Sequence, residues 1–151
     1  MRQAPVPDLV PVYDLRFDPD HIRNVQQASL GTTGSGLTTD PWLFGSPDWW
    51  QALSEGRLET LEIRGVISRV FLSGHNDYEE FEIDDGQERS SWTRRTSDIP
   101  GNNLPRRELA KLYQEGSSAR LFYTLYPFKM VTRGLGESSR CVLRIMISPA
   151  A

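Results

Sequence analysis

Two histidines, one cysteine and a run of carboxylates are the residues with which this chain of 151 could do chemistry. His21 falls at a helix start and His75 in a hairpin turn. Neither has a His or Cys two to four positions on, so the spacing that zinc ligation needs is absent. His75-Asn76-Asp77 has the makings of an oriented general base. A base needs a nucleophile or an acidic proton to act on, and no serine or cysteine stands in a recognisable nucleophile setting, so the three read as a polar hairpin tip. Cys141 excludes an internal disulfide and a multi-cysteine zinc site. It lies in the apolar run Cys141-Val142-Leu143-Arg144-Ile145, where a thiol behaves as a small core side chain.

Asp77, Glu79, Glu80, Glu82, Asp84 and Asp85 form an acidic run. Paired carboxylates divide acid and base roles when their surroundings push their pKa values apart, and converging oxygens bind calcium. At strand spacing, however, Glu80, Glu82 and Asp84 line one face, and the Gly-bearing loop with a closing Glu that calcium requires is missing. A solvated strand face, or a set of partners for nearby arginines, is the reading that fits. Gly31-x-x-Gly34 is followed by no lysine and preceded by no strand, so it is no phosphate cradle. No cofactor and no metal is expected. An enzyme acting on a small polar substrate through His75 and the neighbouring carboxylates ranks last among the functional readings.

The elements that must position these residues follow from composition and periodicity. With 38% hydrophobic and 25% charged residues the chain can bury a core, and its length suits one ordinary domain. No apolar run approaches the ~20 residues of a membrane span. The N-terminus lacks the pattern of a secretory signal, so a cytoplasmic protein is expected and no membrane partner. Net charge is −3, and the half from residue 59 onward is balanced, unlike the basic footprint of a duplex binder.

Residues 1–58 are proline-rich and read as an extension of loops and short helices that packs on a domain spanning 59–151. One helix is capped by Asp18 with Pro19 in its first turn; another by Ser46, with Pro47 and Asp48 following. Trp42, Phe44, Trp49 and Trp50 form an aromatic cluster suited to a lid over one end of the core, or to a ligand cage. From 59 to 72 a long strand bends at Gly65; Tyr78–Asp84 returns as its hairpin partner, and Arg89–Thr96 is a third, polar strand. Leu104–Glu115 carries Leu109, Leu112 and Tyr113 at helical spacing and reads as three turns of helix. Ser118–Tyr126 and Arg140–Ser148 are two more strands, joined by a loop of about a dozen residues.

Three strands, a helix and two strands is an order that resembles the OB-fold, a five-stranded Greek-key barrel. The resemblance covers residues 59–151 and implies a mainly β fold; an SH3-like barrel or an α+β fold with a curved antiparallel sheet are the alternatives. It also implies a ligand surface on the second and third strands and the flanking loops, which would carry Trp92, Arg94, Arg95, Phe122, Tyr126, Lys129 and Arg133. There Trp92 and Arg94 could stack a base and meet a phosphate, giving single-stranded nucleic acid as one partner. The acidic row Glu80, Glu82 and Asp84 on the same surface would repel phosphates. The leading expectation is therefore a non-catalytic binding module whose mixed-charge, aromatic surface meets a protein partner or a second copy of itself.

Overall fold

In the computed structural model, which describes residues 8–75, 78–132 and 136–149, side-chain caps set the first two helices. The Asp18 carboxylate accepts from the His21 N–H and Pro19 opens α1 (Pro19–Leu30). The Ser46 hydroxyl accepts from the Trp49 N–H and Pro47 opens α2 (Pro47–Ser54). In both, the cap satisfies an N–H that has no intrahelical partner. The strands are β1 (Val10–Asp14), β2 (Leu61–Ser73), β3 (Tyr78–Asp84), β4 (Arg89–Thr93), β5 (Ser118–Thr132) and β6 (Gly136–Ile147), with α3 (Arg106–Ala110) between β4 and β5. No helix is long and apolar enough to cross a membrane, among the described residues.

The strands form one six-stranded antiparallel sheet in the order β1-β6-β5-β2-β3-β4. It is open, so the OB-like barrel expected from element order is overturned, and so is the SH3-like barrel. The protein is a mainly β, α+β fold with three short helices among the described residues. The physical reason lies in residues read as loop. Val10–Asp14 pairs antiparallel with β6, setting Val10 opposite Ile147 and Asp14 opposite Arg144. That pairing occupies the edge of β6 that a closed barrel would need. The outer side of β1 is met by the chain after β4. There the Ser97 N–H donates to the Val12 carbonyl at 3.2 Å, the Asp14 N–H donates to Ser97 Oγ at 2.9 Å, and Asn102 Nδ2 donates to the Pro11 carbonyl at 2.8 Å.

Three further elements differ from expectation. The register of β2 against β3 shifts between Ile67 and Arg69, so the bulge lies at Ser68 and not at Gly65. Gly65 instead makes room for the neighbouring strand. A Cβ there would stand 2.2 Å from the Asp84 carbonyl oxygen, so only glycine lets β3 come so close. The helix α3 is five residues long, not three turns. Beyond it the Lys111 and Leu112 N–H groups bond back three residues. Tyr113 is pinned by its hydroxyl, which donates to the Arg95 carbonyl and accepts from the Arg95 N–H. Last, β5 and β6 run on through much of the stretch read as a long loop: β5 reaches Thr132 and β6 begins at Gly136.

By contacts the chain divides into two units. One comprises the segment through Asp14, residues 62–121 and the chain from Arg144. Its core holds Val12, Ile67, Phe81, Ile83, Trp92, Leu109, Leu121 and Ile145, with the Phe81 and Tyr113 rings 4.9 Å apart. The other comprises residues 15–61 and 122–143. Part of the expected aromatic cluster lies in its core: Phe44 and Trp49 are buried with ring centroids 4.8 Å apart and Tyr126 meets Trp49 edge-on at 6.3 Å, while Trp42 and Trp50 are half-buried. Along β5 the buried positions change from odd (Ala119, Leu121) to even (Thr124, Tyr126) as the strand passes from the first unit to the second.

Replacing Gly65 by alanine is expected to lower the unfolding free energy by about 3 kcal/mol, because the obstructing atom is backbone and cannot swing aside. Urea unfolding measures it, and a loss below about 0.5 kcal/mol would show that the two strands approach less closely than described.

Candidate interaction surface

The alternation of β2, β3 and β4 sends Ile67, Ile83, Phe81 and Trp92 to the buried face of the first unit. The opposite face carries Glu62, Arg64, Val66, Arg69 and Phe71 from β2, Tyr78, Glu80, Glu82 and Asp84 from β3, and Arg89, Ser91 and Thr93 from β4. Glu82 stands opposite Ser91, and Asp84 opposite Arg89. The acidic row foreseen from strand spacing is thus a single face, as are its arginine partners.

Charges on this face are interleaved. Glu62 Oε1 accepts from Arg120 Nε at 2.7 Å and from Arg64 Nε at 2.5 Å. The hydrogen bond from Arg120 first, then that from Arg64, holds the Glu62 carboxyl below its ordinary value. Arg89 reaches Asp84 at 3.3 Å and Glu82 at 3.7 Å, and Glu82 also accepts from Ser68 Oγ at 2.9 Å. The Arg69 guanidinium lies 4.2 Å from the Phe71 ring centroid. Exposed pairs of this kind add little stability, at most ~1 kcal/mol each. Apolar groups stand among them, with Val66 45% and Tyr78 64% exposed.

At the end of the hairpin the turn is built by its own carboxylates. Asp84 Oδ1 accepts from the Gly86 N–H, and Asp85 Oδ1 accepts from the Gln87 and Glu88 N–H groups at 2.8 Å each. The Glu88 N–H, then that of Gln87, holds the Asp85 carboxyl below its ordinary value and so in the charged form.

The residues expected to bind a ligand fall in both units. In the first, Trp92 is 3% exposed, its indole N–H donating to Ser90 Oγ. Arg94 Nη2 donates to the Phe71 carbonyl at 3.1 Å, and the Arg95 guanidinium lies 5.9 Å from the Tyr13 ring centroid. In the second, Phe122 is half-buried on β5, and Tyr126 is buried with its hydroxyl donating to the Trp42 carbonyl. The Lys129 ammonium donates to the carbonyls of Ala28, Ser29 and Gly31 at 3.0, 3.2 and 2.8 Å, a cationic cap on the C-terminus of α1. Arg133 lies outside the described residues, as do Asn76 and Asp77. Trp92, Arg94 and Arg95 thus lie in the first unit, while Tyr126 and Lys129 are tied into the framework of the second.

The residues that sequence reasoning passed over are Glu62, Arg64, Arg120, Val66 and Tyr78. Their signal was the alternation of Glu62, Arg64 and Val66 before the bulge. Elsewhere, burial pushes the Cys141 thiol up to about 11, which keeps it a neutral core group. His75 is exposed in the turn at φ 53°, and His21 packs edge-on against Phe44. No group of three metal-ligating side chains occurs among the described residues.

An exposed sheet face of alternating acids and arginines, with aromatic and aliphatic side chains between them, offers a partner both polar and apolar contacts. The comparison with protein families agrees at that level. The family described as immunity protein RhsI2 matches residues 10–148, from the first residue of β1 to one residue past β6, and the chain belongs to that family. No curated protein matches the chain. The expectation of a non-catalytic binding protein thereby narrows to an immunity protein.

Two measurements check the electrostatics. The fold favours ionised Glu62, so its contribution is present above the unfolded pKa of about 4.3 and is lost as pH falls through the lower folded value. Glu62→Gln should be less stable than the parent by up to about 1 kcal/mol at pH 7, with the gap closing on acidification; a gap unchanged at pH 3 would contradict the ion pairs. Lys129→Met should cost roughly 1.5–3 kcal/mol in urea unfolding, and an unchanged midpoint would show that the α1 carbonyls do not depend on it.

Proposed function

We propose that this protein is the cognate immunity partner of an Rhs toxin, which it binds and neutralises by direct contact, without catalysis. The observation that carries the reading is the family match across the whole sheet. The structure supports it in kind. A face of interleaved charges discriminates between partners, since like charges brought together cost several kcal/mol in a wrong complex. An immunity protein needs that property, because it must ignore other toxins. The binding face is the outer surface of β2, β3 and β4, where the partner meets Val66 and Tyr78 within a rim of ion pairs.

Co-production of this chain with its cognate Rhs toxin tests the proposal. The expected result is restored growth of cells making the toxin and a stoichiometric complex on size-exclusion chromatography. Growth arrest despite abundant folded protein, with the two eluting separately, would overturn it.

A further inference from the structure

On the same face, β2 and the turn between β3 and β4 border an open hollow of about 430 Å³ lined by Gly65, Val66, Ser68, Asp84, Asp85 and Gly86. Its character is apolar. Gly65 and Gly86 contribute bare backbone, and half-exposed Val66 contributes a hydrocarbon wall. Its surroundings are anionic. Asp84 and Asp85 are in the lining, Glu82 bonds the lining residue Ser68, and Glu88 is exposed in the same turn, its carbonyl accepting from the Asp85 N–H. Against these four carboxylates stand Arg89, already shared between Asp84 and Glu82, and Arg69, which is in register with Glu82 and lies over the Phe71 ring, so the acids remain in excess. The turn amides hold Asp85 Oδ1 in place, so its charge is fixed before a partner arrives.

We propose that this hollow receives an arginine or lysine side chain of the bound toxin. The occupant's aliphatic stem lies along Val66 and the glycine backbone, and its cationic end meets Asp84 and Asp85. Long basic side chains have this dual character, apolar along the stem and charged at the tip. An acidic or phosphate-bearing group would meet a net excess of negative charge. The inference rests on the toxin-binding reading above and adds to it the chemistry of one contact.

The test compares the toxin affinity of four proteins by calorimetry at two salt concentrations: the parent, Asp85→Asn with Glu88→Gln, Val66→Arg, and Glu59→Lys as a charge change in the other unit. Asparagine keeps the acceptor that the turn amides need and removes the charge. Val66→Arg supplies a cation from the protein itself. The double variant and Val66→Arg should each lose about 10- to 100-fold in affinity while melting with the parent, and the double variant should also lose much of the salt dependence. Glu59→Lys should bind as the parent does. If the parent binds and the hollow variants match it within about twofold, the inference is overturned while toxin binding stands. If the parent does not bind the toxin, both fall.

Discussion

The pairing of Val10–Asp14 with β6 is the constraint on which the rest of this architecture depends. A sheet edge presents unpaired N–H and carbonyl groups, and a chain either closes on itself, covers that edge or leaves it to another molecule. Here an early segment takes the edge of β6, and Ser97 and Asn102 bond the next edge out. With β6 occupied on both sides, the sheet ends at β4 without closing. An open antiparallel sheet can pack one face on a core and leave the other to solvent, and in the first unit that second face is where the ion pairs and exposed apolar groups lie.

Local chemistry was legible in the sequence wherever one or two residues decide the outcome. Asp18 with Pro19 and Ser46 with Pro47 start the helices they were read to start, and Tyr78–Asp84 is the returning arm of a hairpin with Phe81 and Ile83 inward. What escaped was the consequence of tertiary pairing. Pro11 argues against a strand, yet Val10–Asp14 is an edge strand, the position in a sheet that tolerates proline. Pro127 and the nearby glycines marked a loop, but the Pro127 carbonyl accepts from the Thr38 N–H and the Lys129 N–H donates to the Gly36 carbonyl, and β5 continues through Pro127 to Thr132. The regular alternation of β5 hides the change of buried parity between Leu121 and Thr124, because period two is the same whichever face is covered.

The site was half legible for the same reason. The acidic row and the arginines were visible as residue types, and their cancellation into ion pairs follows once register sets Asp84 opposite Arg89. The bulge at Ser68 could not be read, and it is the bulge that puts Val66 and Asp84 on one face with Arg69 and Glu82. Trp92 looked like a stacking platform by its neighbours in sequence. One position along a strand decides between core and solvent, and Trp92 stands opposite Phe81.

Amide hydrogen exchange of the protein, alone and with the Rhs toxin proposed as its partner, is the most direct measurement of whether a partner covers the open face. The expected result is new protection in β2, β3 and the turn after Asp84, with α2 unchanged. Protection confined to α1 and α2, with the β3–β4 hairpin exchanging as in the free protein, would contradict it.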